Sequence, residues 1–300
     1  MIIQLLFVLV CIIVGARLGG IGLGVMGGLG MAILTFLFDL QPTSPPIDVM
    51  LMILSVITAA SCMQAAGGLD YLVRVAERLL RKHPTYITYL SPLVTYLFTF
   101  IAGTGHVAYS VLPVIAEVAT ETKVRPERPL SIAVIASQQA ITASPISAAT
   151  VALLALLTPY HLSLFDILKV TIPATLIGVL AGAVYSLKAG KELHEDPEYR
   201  ARVEAGLINI SASRPIYKKS NVTAKLSVLL FLIATLLIVL FGSFSSLRPS
   251  FLVHEEVICV GMPHIIEIIM LATAALILLV TRTNGLDACK GNVFSAGMQA

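Results

Sequence analysis

Two short stretches carry the residue types that bind an anion without reacting with it. Gly103-Thr104-Gly105-His106 sets backbone amides that a ligand can approach closely beside a hydroxyl and an imidazole, with Tyr109 one turn further on. Ala143-Ser144-Pro145-Ile146-Ser147 places two hydroxyls around a proline, and Gln138 and Gln139 stand one or two turns before it. Glycine admits conformations that end helices, and proline removes a backbone donor and clashes with the preceding turn. Each interruption therefore starts new helices, whose free N–H groups and dipole attract negative charge. Either stretch alone is weak evidence, because Gly and Pro are common in membrane helices. His106 alone suits packing as well as binding.

A second set is charged. Glu77 and Arg81 stand four apart, a pair worth a few tenths of a kcal/mol if exposed. Two prolines hold Arg125-Pro126-Glu127-Arg128-Pro129 extended, so Arg125 and Arg128 can form a funnel for dianions. Helix capping and charge bias across a membrane explain each arginine singly just as well. Asp166 with Lys169, and Glu267, fall near helix ends, where pairing or snorkelling is the ordinary explanation. Enzyme patterns are missing: there is no His-Glu-x-x-His pair, Gly-x-Ser-x-Gly elbow or Walker loop. Cys11, Cys62, Cys259 and Cys289 have neither disulfide nor metal spacing and read as small buried residues. No catalytic residue, metal or cofactor is expected, and no basic run interleaved with aromatics points to nucleic acid.

What must hold these groups is a bilayer. The 300 residues are 57% apolar and 12% charged, with a mean hydropathy of +0.91; soluble chains carry about 25% charged residues. Apolar blocks run over 2–16, 21–38, 47–66, 86–102, 107–119, 130–158, 164–187, 224–241 and 264–281, and a crossing helix needs roughly 20 residues. The first block lacks a basic leader and a small-x-small cleavage site, so it reads as a spanning helix and not a signal peptide. Between blocks three and four, Leu69, Leu72, Val73, Ala76, Leu79 and Leu80 recur at helical spacing among Asp70, Arg74, Glu77, Arg78, Arg81 and Lys82. That is an amphipathic helix for the interface plane.

Lys and Arg then set the sides. Eighteen fall on one side, and only Lys169 and Arg248 on the other. This parity requires the stretch 86–119 to begin and end on the basic side. Its second leg, 107–119, is short for a crossing, which favours a re-entrant hairpin tipped by Gly103–His106; two full crossings return to the same side and stay open. The block 130–158 is too long for one span and breaks at its middle. The expected fold is an all-α integral membrane protein, a multi-span helical bundle with a re-entrant hairpin (about 86–119) and a broken helix (about 130–158). Residues 1–187 form an N-terminal transmembrane repeat, 188–224 a cytoplasmic loop, and 225–300 the start of a second transmembrane half. The N-terminus is periplasmic. Asn209-Ile-Ser211 and Asn221-Val-Thr223 match a glycosylation pattern by chance, since they fall in the cytoplasmic loop.

Many stretches together resemble the Dcu family of anaerobic C4-dicarboxylate transporters. They include Gly15-Ala-Arg-Leu-Gly-Gly20, Gln41-Pro-Thr-Ser-Pro-Pro-Ile-Asp-Val-Met50, Gln64-Ala-Ala-Gly-Gly-Leu-Asp70, Ala76-Glu-Arg-Leu-Leu-Arg81 and Gly103-Thr-Gly-His106. Arg125-Pro-Glu-Arg-Pro129, Ala143-Ser-Pro-Ile-Ser147, Thr171-Ile-Pro-Ala-Thr-Leu-Ile-Gly178 and Leu247-Arg-Pro-Ser-Phe251 continue the match in order along the chain. The resemblance implies a bacterial inner-membrane carrier of fumarate, succinate, malate and aspartate, working by uptake or exchange. It also implies that Glu77, Arg81 and Arg125 matter for transport. Members of the family continue well past residue 300, so a truncated second half is expected, with one half of an inverted-repeat transporter intact. Alternatives are a carrier of another anion on the same architecture, or a non-transporting membrane partner that binds a sensor kinase through the 188–225 loop. Beyond the dianion and the lipid bilayer, the partners to consider are that sensor kinase and a second copy of the chain.

Overall fold

A computed structural model describes residues 2–19, 21–42, 44, 47–157, 160, 162–190, 193–205, 222–253, 256–291 and 294. The apolar blocks become helices in the expected order. These are α1 (Ile2–Leu18), α2 (Gly22–Phe38), α3 (Ile47–Ala65), α4 (Gly68–Lys82), α5 (Ile87–Ala102), α6 (His106–Glu121) and α7 (Glu127–Ala143). There follow α8 (Ala148–Leu157), α9 (Leu164–Ser186), α10 (Pro197–Glu204), α11 (Val222–Ser243), α12 (Met262–Thr281) and α13 (Gly285–Cys289). An antiparallel ribbon of β1 (Ser250–Val253) and β2 (Glu256–Cys259), pairing Ser250 with Cys259, occupies a stretch the hydropathy pattern leaves as loop. About half of the 188–224 loop, with Asn209 and Asn221, and nearly all of 293–300 lie outside the described residues.

Among the described residues, five helical segments are long and apolar enough to cross a membrane: α3, Pro84–Ala102 (α5 with the turn before it), α9, α11 and α12. Their outer surfaces are apolar too, with Ile177, Leu236 and Leu279 exposed. Such a surface suits lipid, because a soluble protein rarely exposes apolar patches of this extent. The described residues divide into two compact units, 2–47 and 48–294. In the first, α1 and α2 pack closely through small residues. A Cβ on Gly15 would sit 2.9 Å from the Leu23 Cα, and one on Gly30 would sit 3.3 Å from the Cys11 sulfur. Small residues let backbones approach where the surrounding solvent is hydrocarbon.

In the second unit α5, α7 and α9 make the framework. The Thr95 hydroxyl donates to the Ala133 carbonyl at 2.9 Å and the Ser144 hydroxyl to the Phe100 carbonyl at 2.7 Å, so α5 and α7 run side by side in the same direction. Antiparallel α9 bonds Thr175 to the buried Tyr96 hydroxyl at 2.8 Å, lays Gly182 against Ile132, and donates from Ser186 to the Arg128 carbonyl at 2.7 Å. The amphipathic α4 buries Leu69, Leu72, Val73, Ala76 and Leu80 as its periodicity predicts. It leans on α11 at one end, where a Cβ on Gly68 would meet the Ser227 hydroxyl at 2.7 Å. Cys11 and Cys62 are buried as expected, whereas Cys259 and Cys289 are exposed, since both fall outside the packed helix faces.

After α9 the chain turns back onto the start of α7. Arg128 donates from Nε to the Ala189 carbonyl at 2.7 Å and from Nη2 to the Gly190 carbonyl at 2.9 Å. Arg125 pairs with Asp196 at 3.0 Å, and the second oxygen of Asp196 caps α10 by accepting from the Glu198 amide at 3.0 Å. The Glu198 amide, the Tyr199 amide and then Arg125 hold the Asp196 carboxyl below its ordinary pKa.

Two outcomes follow. Gly103 ends α5 at φ +69°, and a Cβ there would lie 2.7 Å from Ile146 Cγ1. Gly103→Ala therefore costs about 2 kcal/mol or more, from left-handed strain plus overpacking, read as a lowered thermal midpoint in detergent. A depressed carboxyl contributes stability above its unfolded pKa and loses it as pH falls through the folded value. Docking of 193–204 weakens as pH drops below about 4, seen as faster hydrogen exchange there. In Asp196→Asn the segment exchanges faster already at pH 7, and the acid dependence disappears.

Candidate functional site

The two interruptions read from the sequence meet. Gly103, in the left-handed conformation, donates its amide to the Thr99 carbonyl at 2.8 Å and closes α5. Its open flank faces Ile146 of the break between α7 and α8, with the Ile146 carbonyl 3.2 Å from where a Cβ would stand. Gly105 abuts Gln138, whose Nε2 lies 3.0 Å from the same virtual position on Gly105. A larger residue at either glycine would push the hairpin tip off the broken helix. Glycine is needed here for close approach and, at Gly103, for the positive φ.

The hydroxyls at the break are committed to the chain itself. Ser144 is wholly buried and serves the last turn of α5 through Phe100. Ser147 accepts from the Thr150 amide at 3.2 Å, the N-cap pattern of α8, and donates to the Thr150 hydroxyl at 2.9 Å. That hydroxyl donates in turn to the Thr142 carbonyl at 3.0 Å, in the last turn of α7. Pro145 is buried between them. Ser144 and Ser147 thus keep acceptor lone pairs, while the Ser144 proton goes to the Phe100 carbonyl and the Ser147 proton to the Thr150 hydroxyl, which serves Thr142.

What faces outward is amide and aromatic. Gln138 and Gln139 are exposed on α7 with Thr142 one turn beyond, and Tyr109 on α6 is 63% exposed. Thr104 sits half-buried at the tip. His106 opens α6, and its side chain lies outside what the structure describes. No side chain caps α6, whose N-cap is Gly105. A helix N-terminus and the Gln138 carboxamide therefore adjoin at one point, with Gln139 next to it on α7, donors of the kind an anionic carboxylate takes.

The charged residues lie apart from this point, at the other ends of the same helices. Arg81 is not confined to its i, i+4 partner. Its Nε meets Glu77 at 2.9 Å, its Nη2 meets Glu117 at 2.8 Å, and its Nη1 bonds Glu121. Burial pulls the Arg81 pKa down, and the bonds from Glu77 and Glu117 with the charge of Glu121 outweigh it, leaving the guanidinium above its ordinary value. Arg125 and Arg128 bind the returning chain after α9, and Arg128 is buried. A polar cleft of about 410 Å³ beside Arg125 is lined by Glu127, Asp196, Glu198 and Arg202 as well, so acids balance its arginines.

Sequence reasoning missed Glu117, Glu121, Thr150 and Asp196. The i, i+4 spacing of the two glutamates at the end of an apolar block was a usable signal. Asp166, offered by spacing to Lys169, completes a capping box with Ser163 at the start of α9. Glu267 stands on the second turn of α12 with one carboxyl oxygen buried and no hydrogen-bond partner.

Comparison with known proteins agrees along the whole chain. A family described as anaerobic C4-dicarboxylate membrane transporter matches residues 1–300. An anaerobic C4-dicarboxylate transporter DcuB of Escherichia coli is 41% identical over 307 residues, covering 99% of this chain and 68% of its own. The C4-dicarboxylate transporters DcuA of Wolinella succinogenes and of Escherichia coli K12 are 44% and 43% identical, each over 100% of this chain and 68% of their own. No solved structure matches. With the match running from the first residue to the last and through both interruptions, this chain belongs to the anaerobic C4-dicarboxylate membrane transporter family.

Proposed function

We propose that this chain is a secondary carrier of C4-dicarboxylates (fumarate, succinate, malate and aspartate) in the bacterial inner membrane, working by uptake or exchange. The observation that carries the site is the contact of the hairpin tip with the helix break, Gly103 on Ile146 and Gly105 on Gln138. Helices α5 and α7, of 16 and 17 residues, each run about 25 Å from the basic end before they stop, which keeps both interruptions inside a hydrocarbon layer of about 30 Å. Discontinuous helices meeting within the membrane are the recurring cradle of secondary transporters. One carboxylate of the dianion lies at the start of α6 beside Thr104, held by backbone N–H groups of the turn past Gly103, whose own amide is taken by Thr99. Gln138 and Gln139 donate to the same anion, and Tyr109 lines its approach. Ser144, Pro145 and Ser147 shape the cradle from behind.

The 86–119 stretch is a re-entrant hairpin in this reading, because its tip packs on the break within the 130–158 block. The basic end faces the cytoplasm and the N-terminus the periplasm, since positive charge is retained on the cytoplasmic side. Alternating access then moves the tip and the break relative to each other, with no covalent step. Glu77, Arg81, Arg125 and Arg128 act at the cytoplasmic end by holding helices in register, not by touching the dianion.

Radiolabelled succinate taken up by proteoliposomes of this chain, faster with fumarate inside and undiminished by excess sulfate, is the expected result. Competition by sulfate would instead identify a carrier of another anion. Gln138→Leu loses a hydrogen bond to a charged group, about 1.5–3 kcal/mol, and so raises the apparent KM for succinate roughly 10- to 100-fold with the protein still folded. An unchanged KM would remove Gln138 from the site.

A further inference from the structure

The last turn of α6 carries two carboxylates, Glu117 and Glu121, spaced i, i+4. Neither position is favourable alone. The C-terminal end of a helix repels negative charge, and like charges one turn apart repel each other. What compensates is a single guanidinium from another helix. Arg81 of α4 reaches Glu117 at 2.8 Å and also Glu121, while its Nε stays on Glu77 of its own helix. The Glu117 side chain is only 10% exposed, so the contact is sheltered from water and salt. One cation against three anions is an excess of negative charge, which repels a dianion. The cluster is built to join helices.

We infer that Arg81, Glu117 and Glu121 form a releasable latch between α4 and α6, and that Glu117 and Glu121 are positioning residues for transport. Helix α4 is held along its length by its buried apolar face, with a further contact at each end. Gly68 packs against Ser227 of α11, next to Gly67 in the left-handed conformation, and Arg81 closes the other end on α6. Releasing Arg81 lets α4 swing about its Gly67–Gly68 end. Helix α6 is likewise a rod with the latch at one end and the Gly105 tip at the other. Loss of the latch frees α6 to carry the tip away from Gln138. The unfavourable placement of the two glutamates keeps the released form short-lived, because their repulsion is relieved only when Arg81 returns. The link to the tip rests on the transport reading given above, whereas the latch itself does not.

Two readouts separate these. In a background with the four native cysteines replaced by serine, Ala76→Cys places a thiol on the buried face of α4, where Ala76 is 1% exposed. Maleimide labelling of this thiol is slow with the latch intact. It is expected to rise about tenfold in Glu117→Gln/Glu121→Gln and in Arg81→Glu, equivalent to ~1.4 kcal/mol of closing free energy. It returns to slow in the swapped pair Arg81→Glu/Glu117→Arg. In unsubstituted helices, saturating succinate raises the labelling rate, and the swapped pair regains part of the uptake velocity lost in either single variant with KM unchanged. Equal labelling in all variants, or a swapped pair as fast as the singles, overturns the latch. Labelling that follows the charges without any succinate effect keeps the latch and overturns its link to transport.

Discussion

Every peptide group inside a hydrocarbon layer must find its partner within the protein, and in the proposed transport reading this chain opens its backbone there twice. An orphaned carbonyl or amide in lipid costs several kcal/mol, far more than a net hydrogen bond of about 1 kcal/mol returns in water. The break after Ala143 is tolerable because Ser147 and Thr150 relay a proton donor to the Thr142 carbonyl and the Ser144 hydroxyl closes the end of α5. The tip after Ala102 is tolerable because glycine adopts φ +69° and returns its amide to Thr99. Each opening is completed by the other, since Ser144 lies in one and Phe100 beside the second. The bond from Ser144 to Phe100 ties the two openings together at the candidate site.

The same logic sorts charge. Side chains that pair over long distances in the chain gather where α4, the end of α6, the start of α7 and the end of α9 come together. There Arg81 gathers three carboxylates, Arg128 takes two carbonyls, and Arg125 shares Asp196 with the cap of α10. Arginine suits each of these places because its planar fork of donors serves several acceptors at once. Arg248, isolated from the others in chain position, serves the opposite end by donating to the Phe241 carbonyl at 2.9 Å at the end of α11. The basic residues counted for orientation are thus also fasteners for helix ends.

How much of this was legible varies with the range of the interaction. The spans, the amphipathic α4 and the chain positions of both breaks follow from hydropathy, 3.6-residue periodicity and the local chemistry of Gly and Pro. The ribbon at 250–259 was not legible, because a pair of four-residue strands lies below the length at which a period can be read. The hydroxyls of Ser144 and Ser147 were expected to bind a ligand, yet their protons go to the Phe100 carbonyl and the Thr150 hydroxyl, a partition that spacing does not carry.

By itself, then, the sequence determined a membrane bundle with one basic end, two interruptions and an anion-binding vocabulary at each. These are properties of neighbouring residues, and the bilayer reads them directly. Tertiary structure alone decided which side chains spend their donors on the fold and which stay free. Arg81 meets Glu117 across 36 positions and Arg125 meets Asp196 across 71, distances at which no local pattern selects one carboxylate over another. Only the packing of α4 on α6, and of the chain after α9 on α7, brings those charges within reach. That packing leaves Gln138 exposed beside the glycine tip and Gln139 exposed next to it on α7.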